Sequence, residues 1–192
     1  VCSSDLAVID AKAAADYLAG LEAVDADNLG VMGWSQGGTD ALLAAEAHPD
    51  TFKAVVTWAG ALDLTGDALF AGTTFEDAQA QAEETGSYTM TFDWRDSLDL
   101  GARWFQEVAD TDMVEVVANI KAPILAINGQ TDTTVTPDNA EKIVEASTNE
   151  ASEVLLIENC DHTFNVFSGD FTALYETVDA TTAFFQAQLI PA

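Results

Sequence analysis

Leu29-Gly30-Val31-Met32-Gly33-Trp34-Ser35-Gln36-Gly37-Gly38 is the stretch that decides the fold. Leu29 to Trp34 is a short apolar run and reads as a buried strand. Gly37 to Ala47 is Ala-rich and reads as a helix stopped at His48-Pro49. A serine therefore stands where a strand turns sharply into a helix, in the pattern G-x-S-x-G-G. Such a turn crowds neighbouring backbone, which glycine tolerates and larger residues do not. It also lifts the Ser35 hydroxyl above the sheet, at the N-terminus of a helix. There the backbone N–H of Gln36 and the helix dipole favour a developing negative charge. Ser35 is the candidate nucleophile and Gln36 the candidate oxyanion donor.

Working outward, Ala7 to Leu21 carries apolar residues at three- to four-residue spacing and predicts a helix. Lys53–Trp58, Pro123–Asn128 and Glu153–Glu158 predict three more buried strands. Pro137 opens a helix running to about Ser147. Phe171 to Leu189 predicts a closing helix with Leu174, Val178, Thr182, Phe185 and Leu189 along its stripe. Strands alternating with helices point to an α/β fold with a parallel sheet. Residues 62–120 lack clear strands and read as a mostly helical insertion, rich in aromatics and acids.

A serine nucleophile needs a base. Of the two histidines, His48 ends a helix in Ala-His-Pro-Asp and reads as a solvent-facing residue there. His162 follows the fourth strand, on the edge where loops of parallel sheets build their sites. Asp132 follows the third strand in Gly129-Gln130-Thr131-Asp132 and is the acid expected to orient His162. Its rival Asp161 is adjacent to His162, and adjacent side chains diverge. Cys160 reads as a packed strand-end residue. Trp34, Phe70, Trp94 and Trp104 are candidate walls of a substrate pocket. Arg95 and Arg103 could take a substrate carboxylate, although salt bridges to the many acids are the plainer reading. No metal-ligand cluster or Gly-rich phosphate loop is present, so no metal and no cofactor are implied. Asp25, Asp27 and Asn28 open like a calcium loop, but Leu29 and Gln36 occupy positions that should carry ligands.

The 192 residues suit one domain. With 48% apolar residues the chain is too hydrophobic for an acidic disordered tail, and no apolar run is long enough to span a membrane. Thirty-three Asp and Glu against six Lys and Arg give a net charge of −27, which repels phosphate backbones and excludes general nucleic-acid binding. The acids are spread along the chain, as on a solvated surface or one adapted to high salt, where self-repulsion is screened. Two cysteines make no disulfide framework. Val1 to Leu6 resembles the translation of a sequencing-adapter tail, so native sequence is expected from about Ala7, and localisation is unreadable.

With these motifs the chain resembles the α/β-hydrolase fold superfamily, in its esterase, dienelactone-hydrolase and prolyl-oligopeptidase-type neighbourhood. The likeness runs from about Ala7 to Leu189. It is closest at Val24–Val31, Gly129–Pro137 and Asp161–Phe164. The resemblance implies a catalytic triad of Ser35, Asp132 and His162, an oxyanion N–H from Gln36, and a cap formed by the insertion. The expected organisation is a hydrolase core of residues 7–61 and 121–192 with a helical cap at 62–120. The expected activity is cleavage of a small-molecule ester or acyl substrate. The alternatives are a prolyl-oligopeptidase-type peptidase, in which a tyrosine often stands at the place of Gln36, and a non-catalytic binding relative. The family's sheet has eight strands, and a segment before the serine turn gives its second oxyanion N–H, whereas this chain supplies four strands and no such segment. It is therefore expected to be the C-terminal half of such a sheet, and, alone, poorly soluble or weakly active.

Overall fold

The structure is a computed structural model that describes residues 4–66, 70, 72–92 and 95–190. Four parallel strands form one sheet: β1 Leu29–Trp34, β2 Phe52–Trp58, β5 Ile124–Gly129 and β6 Glu153–Ile157, in the order β1-β2-β5-β6. These are the four expected strands, to within a residue or two at their ends. Side chains alternate across both faces. Val55, Ile124 and Ala126 point into one core with helices α2 Gln36–Ala47, α5 Met113–Asn119 and α6 Asp138–Ala146. Ala54, Val56, Leu125 and Ile127 point into the other, under α7 Thr172–Leu189. Both faces of β2 and β5 are covered, which is why they read as continuous apolar runs rather than alternating ones. The edge strands β1 and β6 correct the expectation of burial, with Met32 and Val154 exposed. Helix α1, Ser4–Ala19, packs outside α2 through Ala15, against Ala44 and Phe52.

The segment between β2 and β5 departs from its expectation of having no strands. After α3, Phe75–Thr85, the strands β3 Ser87–Met90 and β4 Leu98–Gly101 pair antiparallel, and α4 Ala102–Asp110 follows. Both strands do alternate polar and apolar residues, in Ser87-Tyr88-Thr89-Met90 and Leu98-Asp99-Leu100, but at the shortest length that signals a strand. The hairpin, α3 and α4 close over a separate aromatic cluster of Phe70, Phe75, Trp104 and Phe105. Helix α5 does not join that cluster: Met113 and Val117 pack in the main core beside Leu42 and Ile143.

The buried face of α7 also differs from the expected stripe. Ala173, Thr177, Thr181 and Phe184 face the sheet, while Val178 is 39% exposed. Two threonines sit on that face because each hydroxyl is satisfied. Thr177 donates to the Ala173 carbonyl (2.8 Å), and Thr181 accepts the Trp58 indole N–H (2.9 Å).

Three ion pairs, Lys12–Asp16, Arg103–Glu107 and Lys142–Asp138, join residues four apart on helices and are at least partly solvent-exposed. Such pairs contribute roughly 0.3–0.5 kcal/mol each. They leave the surplus of carboxylates uncompensated, so mutual repulsion opposes compaction. The midpoint of thermal unfolding is therefore expected to rise as NaCl is raised from 0.05 to 2 M. A midpoint that stays level or falls would show that the acidity imposes no electrostatic strain.

Candidate active site

The turn between β1 and α2 is locked by its neighbours. Ser35 adopts φ 56° and ψ −127°, a left-handed backbone that a serine seldom takes. Its N–H donates to the Trp58 carbonyl (2.8 Å), and its own carbonyl accepts from Gly38 N–H (2.8 Å). A Cβ on Gly33 would lie 1.8 Å from the Gly37 carbonyl oxygen, and one on Gly38 would lie 2.8 Å from Gly60 Cα. At Gly37 a Cβ would meet nothing within 4 Å. Of the three glycines in the motif, two are steric necessities and Gly37 is not.

Three loops at the carboxyl ends of β1, β5 and β6 bring Ser35, Asp132 and His162 into one line. His162 Nε2 lies 3.0 Å from Ser35 Oγ, and His162 Nδ1 lies 2.8 Å from Asp132 Oδ2. Asp132 and His162 are 3% and 5% exposed. The carboxylate is held from both sides. Asp132 Oδ1 accepts the N–H groups of Thr134 (2.8 Å) and Val135 (2.9 Å), and Oδ2 also takes a long contact from Asn128 Nδ2 (3.4 Å). This caged carboxylate can orient the ring and balance a charge on it. Asp161, by contrast, folds its own loop, accepting from Thr163 and Asn165 backbone N–H groups. His48 caps the C-terminus of α2. Gln36 opens α2, which puts its peptide N–H at the positive end of the helix, beside Ser35.

A cleft of about 340 Å³ opens over Ser35 and His162, with Gln36, Trp34, Met90, Leu100 and Trp104 among its walls. Trp34 and Trp104, the expected pocket walls, both line this cleft. Phe70 is corrected: it is 1% exposed, lies inside the aromatic cluster of the insertion and does not line this cleft. Trp94 lies outside the described residues. Trp34 has a second attachment, because its indole N–H donates to the His162 carbonyl (3.0 Å) and its ring lies 5.6 Å from the imidazole. Arg103 is paired with Glu107 on its own helix, whereas Arg95 lines the cleft, 5.4 Å over the Phe92 ring. Burial, aided by Asp161, Asp132 and Glu176, pushes the Cys160 thiol up to about 12, so it is a packing residue and no thiolate.

Two residues at this site escaped the sequence reading. Asn128, fully buried at the end of β5, braces the Asp132 loop by donating to the Val135 carbonyl (3.0 Å). Asp40 lines the cleft one helical turn beyond Gln36, and burial pushes its carboxyl from 3.8 up to about 6. Its stretch, Thr39-Asp40-Ala41-Leu42, shows only an acid on an Ala-rich helix; the burial comes from the insertion packed beside it.

Two outcomes follow from this geometry. Gly33→Ala is expected to lower the unfolding free energy by about 3 kcal/mol or more, because backbone must move. Gly37→Ala should change it by no more than about 1 kcal/mol, toward higher stability. Urea denaturation of both variants checks the pair, and equal losses would refute the steric reading. For Asp40, the folded chain holds its proton more tightly than the unfolded chain, so stability falls as pH rises from about 4 to 6 and stays lowered above that. Asp40→Asn should therefore gain stability over the wild type across that window, with a constant advantage from pH 7 to 8. Urea midpoints at stepped pH test this, and a difference that does not vary with pH would contradict it.

A sequence profile described as the prolyl oligopeptidase family matches residues 5–190. No curated protein sequence matches the chain. Among solved structures, Est1E from Butyrivibrio proteoclasticus is similar at TM-score 0.71 and 20% identity, over 94% of this chain and 69% of its own. Paleococcus ferrophilus monoacylglycerol lipase is similar at TM-score 0.75 and 16% identity, over 97% and 76%. A puromycin-hydrolyzing peptidase of Mycobacterium tuberculosis matches at TM-score 0.69 and 23% identity, over 97% of this chain and 26% of that one. These likenesses give the fold, and the profile match over nearly the whole length gives the family: the chain is an α/β-hydrolase and belongs to the prolyl oligopeptidase family.

Proposed function

We propose that this hydrolase cleaves carboxylic esters of small molecules through an acyl-enzyme on Ser35. The observation that carries the reading is the unbroken line from Asp132 through His162 to Ser35, at 2.8 and 3.0 Å. As Ser35 Oγ attacks the acyl carbon, its proton passes to His162 Nε2. Asp132, acting on Nδ1, keeps the ring in place and balances the imidazolium. The Gln36 N–H and the N-terminus of α2 stabilise the oxyanion. When the tetrahedral adduct collapses, the leaving oxygen takes the proton from His162 and departs as an alcohol. A water then gives a proton to His162 and attacks the acyl carbon. The proton returns to Ser35 as the carboxylic acid leaves. No cofactor or metal enters these steps. The mainly apolar walls of the cleft suit small acyl and alcohol groups. Membership of the prolyl oligopeptidase family favours a second reading, hydrolysis of a peptide bond by the same three residues.

A fluorophosphonate probe should label the full-length protein and fail to label its Ser35→Ala variant. Asp132→Asn should lower kcat by about 10⁴. Absence of labelling in the unaltered full-length protein would overturn the nucleophile assignment and favour a binding role. To separate the two substrate classes, kcat/KM for p-nitrophenyl butyrate and for a prolyl p-nitroanilide are each compared with the uncatalysed rate. The ester should show the larger acceleration, and the reverse order establishes a peptidase.

A further inference from the structure

Asp40 takes no part in the chemistry above, yet it is the least compensated charge near it. It shares a helix face with Gln36, four residues earlier on α2. Its carboxylate lines the Ser35 cleft and also a narrower cavity of about 130 Å³ against α4, the two volumes sharing Gln36, Asp40, Leu64 and Trp104 as walls. No hydrogen bond or ion pair among the described residues reaches it, and burial alone displaces its titration. The other acids around the narrower cavity are engaged. Asp63 Oδ1 accepts from the N–H (2.8 Å) and hydroxyl (2.6 Å) of Thr65, and Glu107 accepts from Arg103 (2.6 Å). Arg95, across the cleft, is held by the Phe92 ring and the Asp96 carbonyl.

A second observation concerns the shared wall itself. Trp104 is 3% exposed, and its indole N–H has no acceptor among the described residues. That N–H opens on neither cavity, so what Trp104 offers them is its ring. A half-buried carboxylate without a partner is costly. One ligand chemistry answers it: an ammonium group pairs with the carboxylate and lies against the electron-rich indole. The net charge of −27 adds a long-range pull on cations toward the cleft.

We propose that Asp40 and Trp104 form a cation subsite beside Ser35, so that the preferred esters carry an ammonium group on their acyl or alcohol part. This specificity rests on Ser35 being the nucleophile; the subsite itself does not.

Two isosteric substrate pairs test it, in 0.5 M NaCl to suppress unspecific attraction. Butyrylcholine is compared with 3,3-dimethylbutyl butyrate, and p-nitrophenyl 6-aminohexanoate with p-nitrophenyl heptanoate. In at least one pair the cationic ester should lead in kcat/KM by tenfold or more. That ratio should collapse toward one in Asp40→Asn, survive in Asp40→Glu, and fall in part in Trp104→Phe. A binding arm uses calorimetric titration of butyltrimethylammonium into Ser35→Ala, where affinity should drop tenfold or more when Asp40→Asn is added. Thermal unfolding of each variant verifies that it is folded. Equal use of both members of each pair, or binding indifferent to Asp40, overturns the subsite. Asp40-dependent binding without fluorophosphonate labelling would sustain the subsite and sink the Ser35 chemistry. Labelling without cation preference would do the opposite.

Discussion

The close approach of Gly33 to the Gly37 carbonyl is the constraint on which the rest depends. It permits β1 to fold straight into α2, and so forces Ser35 into a left-handed backbone held by the Trp58 carbonyl. A residue in that region carries strain of about 1–3 kcal/mol, and persists only where its surroundings over-determine it. Here they do. β1 pairs along its whole length with β2, and Gly38 packs against Gly60 from the loop after β2. The strain is thus held by the sheet, and what it yields is a hydroxyl raised over the sheet edge at the start of a helix.

Much of this was legible in the chain because the relevant signals are local. The parallel strands are continuous apolar runs, and all four were readable to within a residue or two at their ends, though not that β1 and β6 stand at the partly exposed edges. The strand–serine–helix juxtaposition needed no tertiary information. What resisted reading was whatever depends on partners distant in sequence. The inward face of α7 carries Thr177 and Thr181, which look like surface residues until Trp58 and the Ala173 carbonyl are found beside them. Phe70 and Trp104 are both aromatics of one insertion, yet one fills its core and the other walls the cleft. Composition cannot tell these apart. Nor could it separate Asp40 from thirty-two other acids, since its environment, not its identity, sets it apart.

The electrostatics divide into two regimes. On the surface, carboxylates are hydrated and their mutual repulsion is weak, long-ranged and screened by salt. At the site, burial weakens hydration, and each carboxylate must be answered individually. Asp132 is answered by two backbone N–H groups and an imidazole. Asp40 is answered by nothing inside the described chain. The two aspartates nearest Ser35 therefore differ in kind: Asp132, buried behind the imidazole, serves it, and Asp40, on the cleft wall, faces whatever enters.

The hydrogen bond between His162 and Ser35 spans 127 positions of chain, and the one between His162 and Asp132 spans 30. All strand pairs in the main sheet are parallel and joined by crossovers. Such a topology has high contact order, and its loop-closure entropy must be met before any long-range contact repays it. The site is accordingly a late product of folding. No local fragment can hold its geometry, and a nascent chain has no competent serine until β6 has docked. Reactivity is thereby confined to molecules whose whole sheet is in register.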